Sequence, residues 1–115
     1  MFKFENLKVW QKAIGLVEFI IKITEKIPQK DQFSLAEQLR RAALAIPTNI
    51  AEGSGRKSIK EASYFYNIAK GSVYEVISLI IITKRRGYCS EEKFNKVYEL
   101  SDEIARMLSG LMRKE

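Results

Sequence analysis

The sequence predicts an all-α, antiparallel up-down-up-down four-helix bundle in which residues 1–115 form a single domain. A chain of 115 residues with 46% hydrophobic and 30% charged content has the size and composition of one globular domain with its own core. Turn-forming residues cluster around 28–33, 53–57 and 87–89 and divide the chain into four segments. Apolar residues recur with helical spacing in every segment, and no β-type alternation competes with that spacing.

The first two segments each carry one apolar stripe. Ser34 and Glu37 fit a capping box, which predicts that the second helix begins there. Pro47 interrupts this helix, which we expect to continue with a kink near Leu44, because proline removes one backbone hydrogen bond. The two stripes consist of Val9, Ala13, Leu16, Val17, Ile20 and Ile27, and of Leu35, Leu39, Ala42, Ala43, Ile46 and Ile50.

The third and fourth segments have clear start and stop signals. Ser58 and Glu61 form a second capping box, and Ser90 precedes two glutamates at the predicted start of the last helix. Basic residues at 84–86 before Gly87 match a helix C-terminus with a left-handed cap. The stripes are Ala62, Phe65, Ala69, Ser72, Val73, Val76 and Ile80, then Phe94, Val97, Ser101, Ile104, Leu108 and Leu111.

The composition excludes most catalytic chemistry within one chain. Histidine is absent and cysteine occurs once, so Cys/His zinc sites, Ser-His-Asp triads, Cys-His pairs and internal disulfides are excluded. The acidic residues Glu99, Asp102 and Glu103 lie near Lys96 and Arg106, which indicates a solvated charge lattice. We therefore predict no catalytic residues, no metal site and no cofactor.

The charge is basic and unevenly distributed. The formal net charge is +6, and residues 34–86 hold 9 basic and 4 acidic side chains, a net +5. Such a surface favours acidic partners such as RNA or DNA. The sequence shows no signal-peptide core and no apolar stretch that we expect to span a bilayer, so we predict a cytoplasmic protein without a membrane partner.

The turn at 53–57 is the first candidate for nucleic-acid contact. It resembles a phosphate-binding loop superficially, but its glycine spacing and the preceding helix exclude a nucleotide-triphosphate site. Arg56 and Lys57 flank a helix N-terminus, with Lys60 one turn further, and this arrangement suits a nucleic-acid phosphate. A flexible turn with solvated charges is the alternative.

The second helix offers further polar candidates, with two interpretations each. Arg40 and Arg41 could contact phosphate, or Arg41, Thr48 and Glu52 could form an Arg-carboxylate network that fixes bundle or subunit register. Asn49 flanks two apolar positions and is either a buried polar register residue or an exposed amide.

Aromatic residues provide the remaining candidates. Tyr66, Lys70 and Tyr74 follow at four-residue spacing, which suits either base stacking with phosphate contact or packing at an interface. Trp10 is either a packing anchor or a stacking platform. A second apolar surface predicts self-association, although a wide core would explain it equally; it comprises Ile77, Ile81, Ile82, Tyr98, Ala105 and Met112.

Four segments resemble the bacterial four-helix-bundle family of proteins encoded within ribosomal RNA intervening sequences. They are FENLKVWQKA at 4–13, QLRRAA at 38–43, IPTNIAEGSGR at 46–56 and FYNIAKGSVYE at 65–75. Relatives of this family include the accessory protein of diversity-generating retroelements. The resemblance implies a homopentameric ring without catalytic residues and, for the retroelement branch, a basic surface that binds nucleic acid and a reverse transcriptase. Lys70 stands where the family usually has arginine.

Two functions of different classes follow. The first is a non-enzymatic nucleic-acid-binding accessory or scaffold protein that acts as a basic homo-oligomer. The second is a structural protein-protein interaction module, whose basic face meets an acidic partner or keeps the oligomer soluble. Salt-dependent binding to structured RNA and DNA distinguishes the two.

Overall fold

The computed structural model describes residues 1–113, and they contain helices and turns but no β-strand. Helix α1 spans Lys8–Glu25, α2 spans Glu37–Ser54, α3 spans Ile59–Arg85 and α4 spans Glu91–Met112. A short 3-10 turn, Lys3–Asn6, precedes α1. The all-α prediction and the division into four helices are confirmed.

The four helices pack around one core. Each helix contacts the next along the chain, and α1 also contacts α4. The apolar stripes supply this core, and its largest fully buried side chains include Leu16, Ile46, Val73 and Leu108. Part of the predicted second apolar surface belongs to the core, because Ala105 is only 8% exposed and Met112 packs against the core. Another part stays at the surface, where Ile82 and Tyr98 are 43% and 45% exposed.

Two of the three predicted serine caps form. The Ser58 hydroxyl accepts a hydrogen bond from the Glu61 backbone N–H at 3.1 Å, and Ser90 accepts one from Lys93 at 3.1 Å. The prediction of a cap at Ser34 is wrong, because a π-helical turn over Gln32–Ala36 runs directly into α2 and places this serine inside a helical turn. Its hydroxyl instead donates to the Asp31 carbonyl at 3.4 Å.

The end of α3 matches its prediction, and α2 runs on past its proline as expected, while the kink near Leu44 stays a prediction. Gly87 has a φ of 78° and ends α3 in a Schellman arrangement, with Tyr88 N–H donating to the Thr83 carbonyl at 3.0 Å. Helix α2 continues through buried Pro47. The side chains of Thr48 and Asn49 donate to the carbonyls just before the proline, at 2.8–3.1 Å. These bonds occupy carbonyl groups in the turn that the proline perturbs.

Two of the three connections between helices contact each other, the α1–α2 and the α3–α4 connection. The Tyr88 hydroxyl donates to the Asp31 carboxylate at 2.6 Å, and Arg86 lies 3.4 Å from the same oxygen. These contacts join the α1–α2 connection to the α3–α4 connection. The N-terminal 3-10 turn contacts α2, and its Lys3 lies in one groove with Arg56 and Lys57 of the α2–α3 connection.

Helix α3 is long and rich in apolar residues. Within the described part of the chain it alone is long and apolar enough to span a bilayer, so the expectation that no segment could do so was too strict. Length and composition of this kind also occur in core helices of soluble proteins. In this chain, α3 packs against both α2 and α4, but only 28% of its most apolar 18 residues are buried.

Candidate nucleic-acid interface

The α2–α3 turn places a group of cations at a helix start. Helix α2 ends at Ser54 and α3 begins at Ile59, so Arg56 and Lys57 lie in the short connection and Lys60 lies in the first turn of α3. All three are exposed. The Ser58 cap occupies one backbone N–H of α3, and the N–H groups of the residues before Glu61 have no intrahelical acceptor. The positive helix end and the side chains thus favour the same anionic partner.

Arg56 is held in place on two sides. Its guanidinium donates to the Glu52 carboxylate at 2.7 Å, and its central carbon lies 4.5 Å from the centroid of the Phe65 ring. Because both charged groups are substantially exposed, this ion pair orients Arg56 more than it stabilises the fold. Lys57 and Lys60 form no ion pair within residues 1–113, so their charges are available to a partner.

A groove of about 230 Å³ opens beside this turn. Lys3 of the N-terminal turn and Leu111 of α4 line it together with Arg56, Lys57 and Tyr66. Sequence reasoning missed Lys3 and Leu111 as site residues, because neither has a local signal that places it near residue 57. Only the packing of chain segments more than 50 residues apart brings them together.

Tyr66 forms the floor of this groove and depends on Gly53. A Cβ atom added at Gly53 would lie 2.7 Å from Cε1 and 2.9 Å from Cδ1 of the Tyr66 ring. The glycine therefore lets the ring lie directly against α2. Tyr66 is 8% exposed, and burial raises the pKa of its hydroxyl above the ordinary 10.0.

The other predicted arginines do not join this group. Arg40 donates to the Gln32 side chain at 3.3 Å, and Arg41 lies 4.0 Å from Glu37. Glu52 pairs with Arg56, so the predicted network between Arg41 and Glu52 does not form within the described residues. Each of these arginines instead has a local partner on or near α2.

The side chains of Tyr66, Lys70 and Tyr74, predicted to share one stripe, have different surroundings. Tyr66 is buried, while Tyr74 is 60% exposed. The Lys70 ammonium donates to the Ser109 hydroxyl at 2.7 Å and lies 6.0 Å from the Tyr74 ring centroid, so it connects α3 to α4. These three residues thus present no common base-stacking face.

The remaining predicted residues have packing or backbone contacts. Trp10 is half-buried against the core, and the Phe4 ring meets it edge-on with centroids 5.0 Å apart. Pro47 is buried in α2. Asn49 is half-buried and bonds its own helix, with its amide 2.8 Å from the Ala45 carbonyl, so it contributes no hydrogen bond between helices among the described residues.

Two further features concern metal binding and nucleophilic chemistry, the acidic side chains and Cys89. Among residues 1–113, no three Asp, Glu or Cys side chains are grouped to hold a metal ion. Cys89 is half-buried. Burial raises the pKa of its thiol, and Lys84 and Lys93 offset this only in part. The thiol is therefore protonated at neutral pH, in which form it is a poor nucleophile.

Comparison with known proteins identifies relatives. A family model for 23S rRNA-intervening sequence proteins matches residues 5–110. A crystal structure of a protein of unknown function from the S23 ribosomal protein family of Bacteroides thetaiotaomicron has a similar fold, with a TM-score of 0.83 and 21% sequence identity. The similarity covers 90% of this chain and 97% of that one. No curated protein matches the sequence.

Proposed function

Because this chain belongs to the 23S rRNA-intervening sequence protein family, we propose that it is a non-enzymatic nucleic-acid-binding accessory or scaffold protein that acts as a basic homo-oligomer. The single observation that carries this proposal is the group of cations at the α2–α3 turn. Arg56, Lys57 and Lys60 lie exposed at the start of α3, and Lys3 lines the adjoining groove. Phosphate contacts of this kind are independent of sequence, so binding should be tight but indifferent to base order.

Self-association is the second part of the proposal, and a homopentameric ring is the form that the family resemblance implies. Apolar residues exposed on the outward side of α3 support it: Tyr64 is 64% exposed, Ile68 39% and Ile82 43%. Five chains of charge +6 would carry a formal +30 and present each cluster of cations five times. Weak individual phosphate contacts would then combine through avidity.

The proposal also includes the up-down-up-down path of the four helices. The α1–α2 and α3–α4 connections meet through Asp31 and Tyr88, and the N-terminal turn meets the α2–α3 turn at the groove. Both sets of contacts favour antiparallel neighbours. A reverse transcriptase remains a proposed partner, on the retroelement branch of the resemblance alone, and a cytoplasmic location remains part of the proposal.

A protein-protein interaction module is the alternative. Phe33, 82% exposed, and Leu44, 47% exposed, favour it because large apolar side chains at the surface suit a protein partner. The pairing of Arg56 with Glu52 favours it too, because that contact lowers the net positive charge at the turn.

Charge reversal at the turn tests the proposal. In Arg56→Glu/Lys57→Glu, repulsion replaces two phosphate contacts. We expect weaker binding, and a salt slope shallower by about 1.8 if two phosphate contacts at roughly 0.9 each are lost. Fluorescence anisotropy with a labelled duplex DNA and a structured RNA, across a salt series, measures both quantities.

The matched control is Lys26→Glu/Lys30→Glu, which makes the same charge change at two exposed lysines beyond the other end of α1. If the two double variants bind equally, the turn is not the contact surface. Light scattering tests the assembly separately: a pentamer is expected, and a monomer that persists at all micromolar concentrations would refute the oligomer.

A further inference from the structure

The groove beside the α2–α3 turn combines cationic and apolar side chains, whereas a surface that binds phosphate alone needs only the cations. We call it the Tyr66 groove; its lining includes Lys3, Arg56, Lys57, Ser58, Tyr66 and Leu111. Its rim is cationic. Its floor is the buried phenol ring and the Leu111 side chain, so the groove can accept an apolar or aromatic group below a phosphate.

Tyr66 supplies a hydrogen-bond donor that bonds none of the described residues. Its side chain is more than nine-tenths buried, yet its hydroxyl has no hydrogen-bond partner among residues 1–113. In the same range, the fully buried side-chain oxygens without a partner are those of Ser63 and Ser101, so the Tyr66 oxygen retains contact with solvent. Tyr66 lines the groove, so a ligand bound there can reach this hydroxyl.

The rim supplies free positive charge. Lys3 and Lys57 form no ion pair with any residue that the structure describes. Ser58 caps the Glu61 N–H, and the two preceding N–H groups of α3 still lack intrahelical acceptors. A phosphate at this rim would meet two ammonium groups and the positive end of a helix.

The size of the groove limits the group that can enter. Its 230 Å³ lies below the roughly 300–1,000 Å³ of pockets for drug-sized ligands and equals about eight water molecules at ~30 Å³ each. That space suits one planar heterocycle and is too small for a base pair. A base inside a duplex cannot reach it without unstacking, whereas an unpaired base can.

We propose that the Tyr66 groove holds one unpaired nucleotide of a bound strand, with the base beside Leu111 and the Tyr66 hydroxyl and its phosphate at Lys3 and Lys57. This inference rests on the proposed nucleic-acid function and adds a preference for unpaired positions. The Tyr66 hydroxyl donates to an acceptor atom on the base, and the half-buried Leu111 side chain contacts the base face. Base order matters little, because every base carries an acceptor and an apolar face.

Three duplex probes of one sequence test this preference. The first contains a single unpaired adenine bulge, the second has an abasic residue at the same bulge, and the third is fully paired. The two bulged probes carry the same number of phosphates, so their difference reports the base alone. We expect the parent protein to bind the adenine bulge about tenfold more tightly than the abasic bulge, from one hydrogen-bonded base packed against Leu111.

Tyr66→Phe removes the donor and keeps the ring. It should reduce the preference for the adenine bulge over the abasic bulge about fivefold. Tyr74→Phe makes the same change on the exposed surface of α3 and should have no effect.

Each outcome separates this inference from the proposed function. Equal binding of the adenine and abasic bulges by the parent would overturn the groove's role while the duplex-binding function stands. A preference that survives in folded Tyr66→Phe would overturn it as well. Failure of the parent to bind any of the probes would refute the nucleic-acid function itself, and with it the groove's role. The comparison of the adenine and abasic bulges uses the parent protein alone, so it tests the inference even if Tyr66→Phe misfolds.

Discussion

Gly53→Ala and Gly71→Ala should change stability in opposite directions, although both glycines lie in helices. At Gly53 an added Cβ would approach the Tyr66 ring to 2.7 Å and the Ala62 carbonyl oxygen to 3.0 Å. Overpacking of this kind costs about 1–3 kcal/mol, against about 1 kcal/mol gained in helix propensity. The net expectation is a loss of about 1 kcal/mol.

At Gly71, nothing lies within 4 Å of an added Cβ, so only the propensity gain of about 1 kcal/mol applies. The two variants should therefore differ by about 2 kcal/mol, or about 8 °C in Tm for a chain of this length. Thermal and urea unfolding by circular dichroism measure this at equal protomer concentration, because assembly would shift Tm. A Gly53→Ala protein as stable as Gly71→Ala would refute the close approach. In a Tyr66→Leu background the Gly53→Ala cost should shrink.

Three further perturbations have defined outcomes. Ser101→Ala should raise the free energy of unfolding by about 1 kcal/mol in urea titration, because it removes a buried oxygen without a partner among the described residues; a loss would show a hidden hydrogen bond. Pro47→Ala should keep the helical content but change the mass measured by light scattering, because we expect the kink to direct residues 49–56; an unchanged oligomer would make the kink incidental. Burial raises the Tyr66 pKa above 10.0, so the unfolded state releases that proton first and the free energy of unfolding should fall as pH rises above about 10. Urea titrations between pH 8 and 11 should show a smaller fall in Tyr66→Phe than in the parent. An equal fall in both proteins would contradict the burial of the hydroxyl.

Local signals made most helix boundaries predictable. The Ser58 and Ser90 caps and the left-handed Gly87 depend on residues within a few positions, so their chemistry can be read from the sequence. Ser34 had the same pattern and failed. There the Gln32 side chain bonds the carbonyls of Thr24 and Ile27 at 2.7 and 2.8 Å, and the π-helical turn that contains Gln32 displaces the start of α2.

The candidate interface was predictable only where its residues are adjacent in sequence. Arg56, Lys57 and Lys60 share one turn, so their grouping follows from spacing. Lys70 shows the opposite case, because its position on α3 predicted a surface stripe while Ser109 of α4 binds its ammonium. A single helix's periodicity contains no information about which neighbour will supply a hydrogen bond.

Gly53 connects the core to the candidate interface. Without a Cβ atom it lets the Tyr66 ring lie against α2, and that ring closes the core and also forms the groove floor. The next residue back along α3, Phe65, supports the Arg56 guanidinium at 4.5 Å. A shift of α3 away from α2 would therefore move the groove floor and the Arg56 support together. Stability and nucleic-acid affinity should be coupled at Gly53 and independent at Gly71, because no side chain of the interface packs against Gly71.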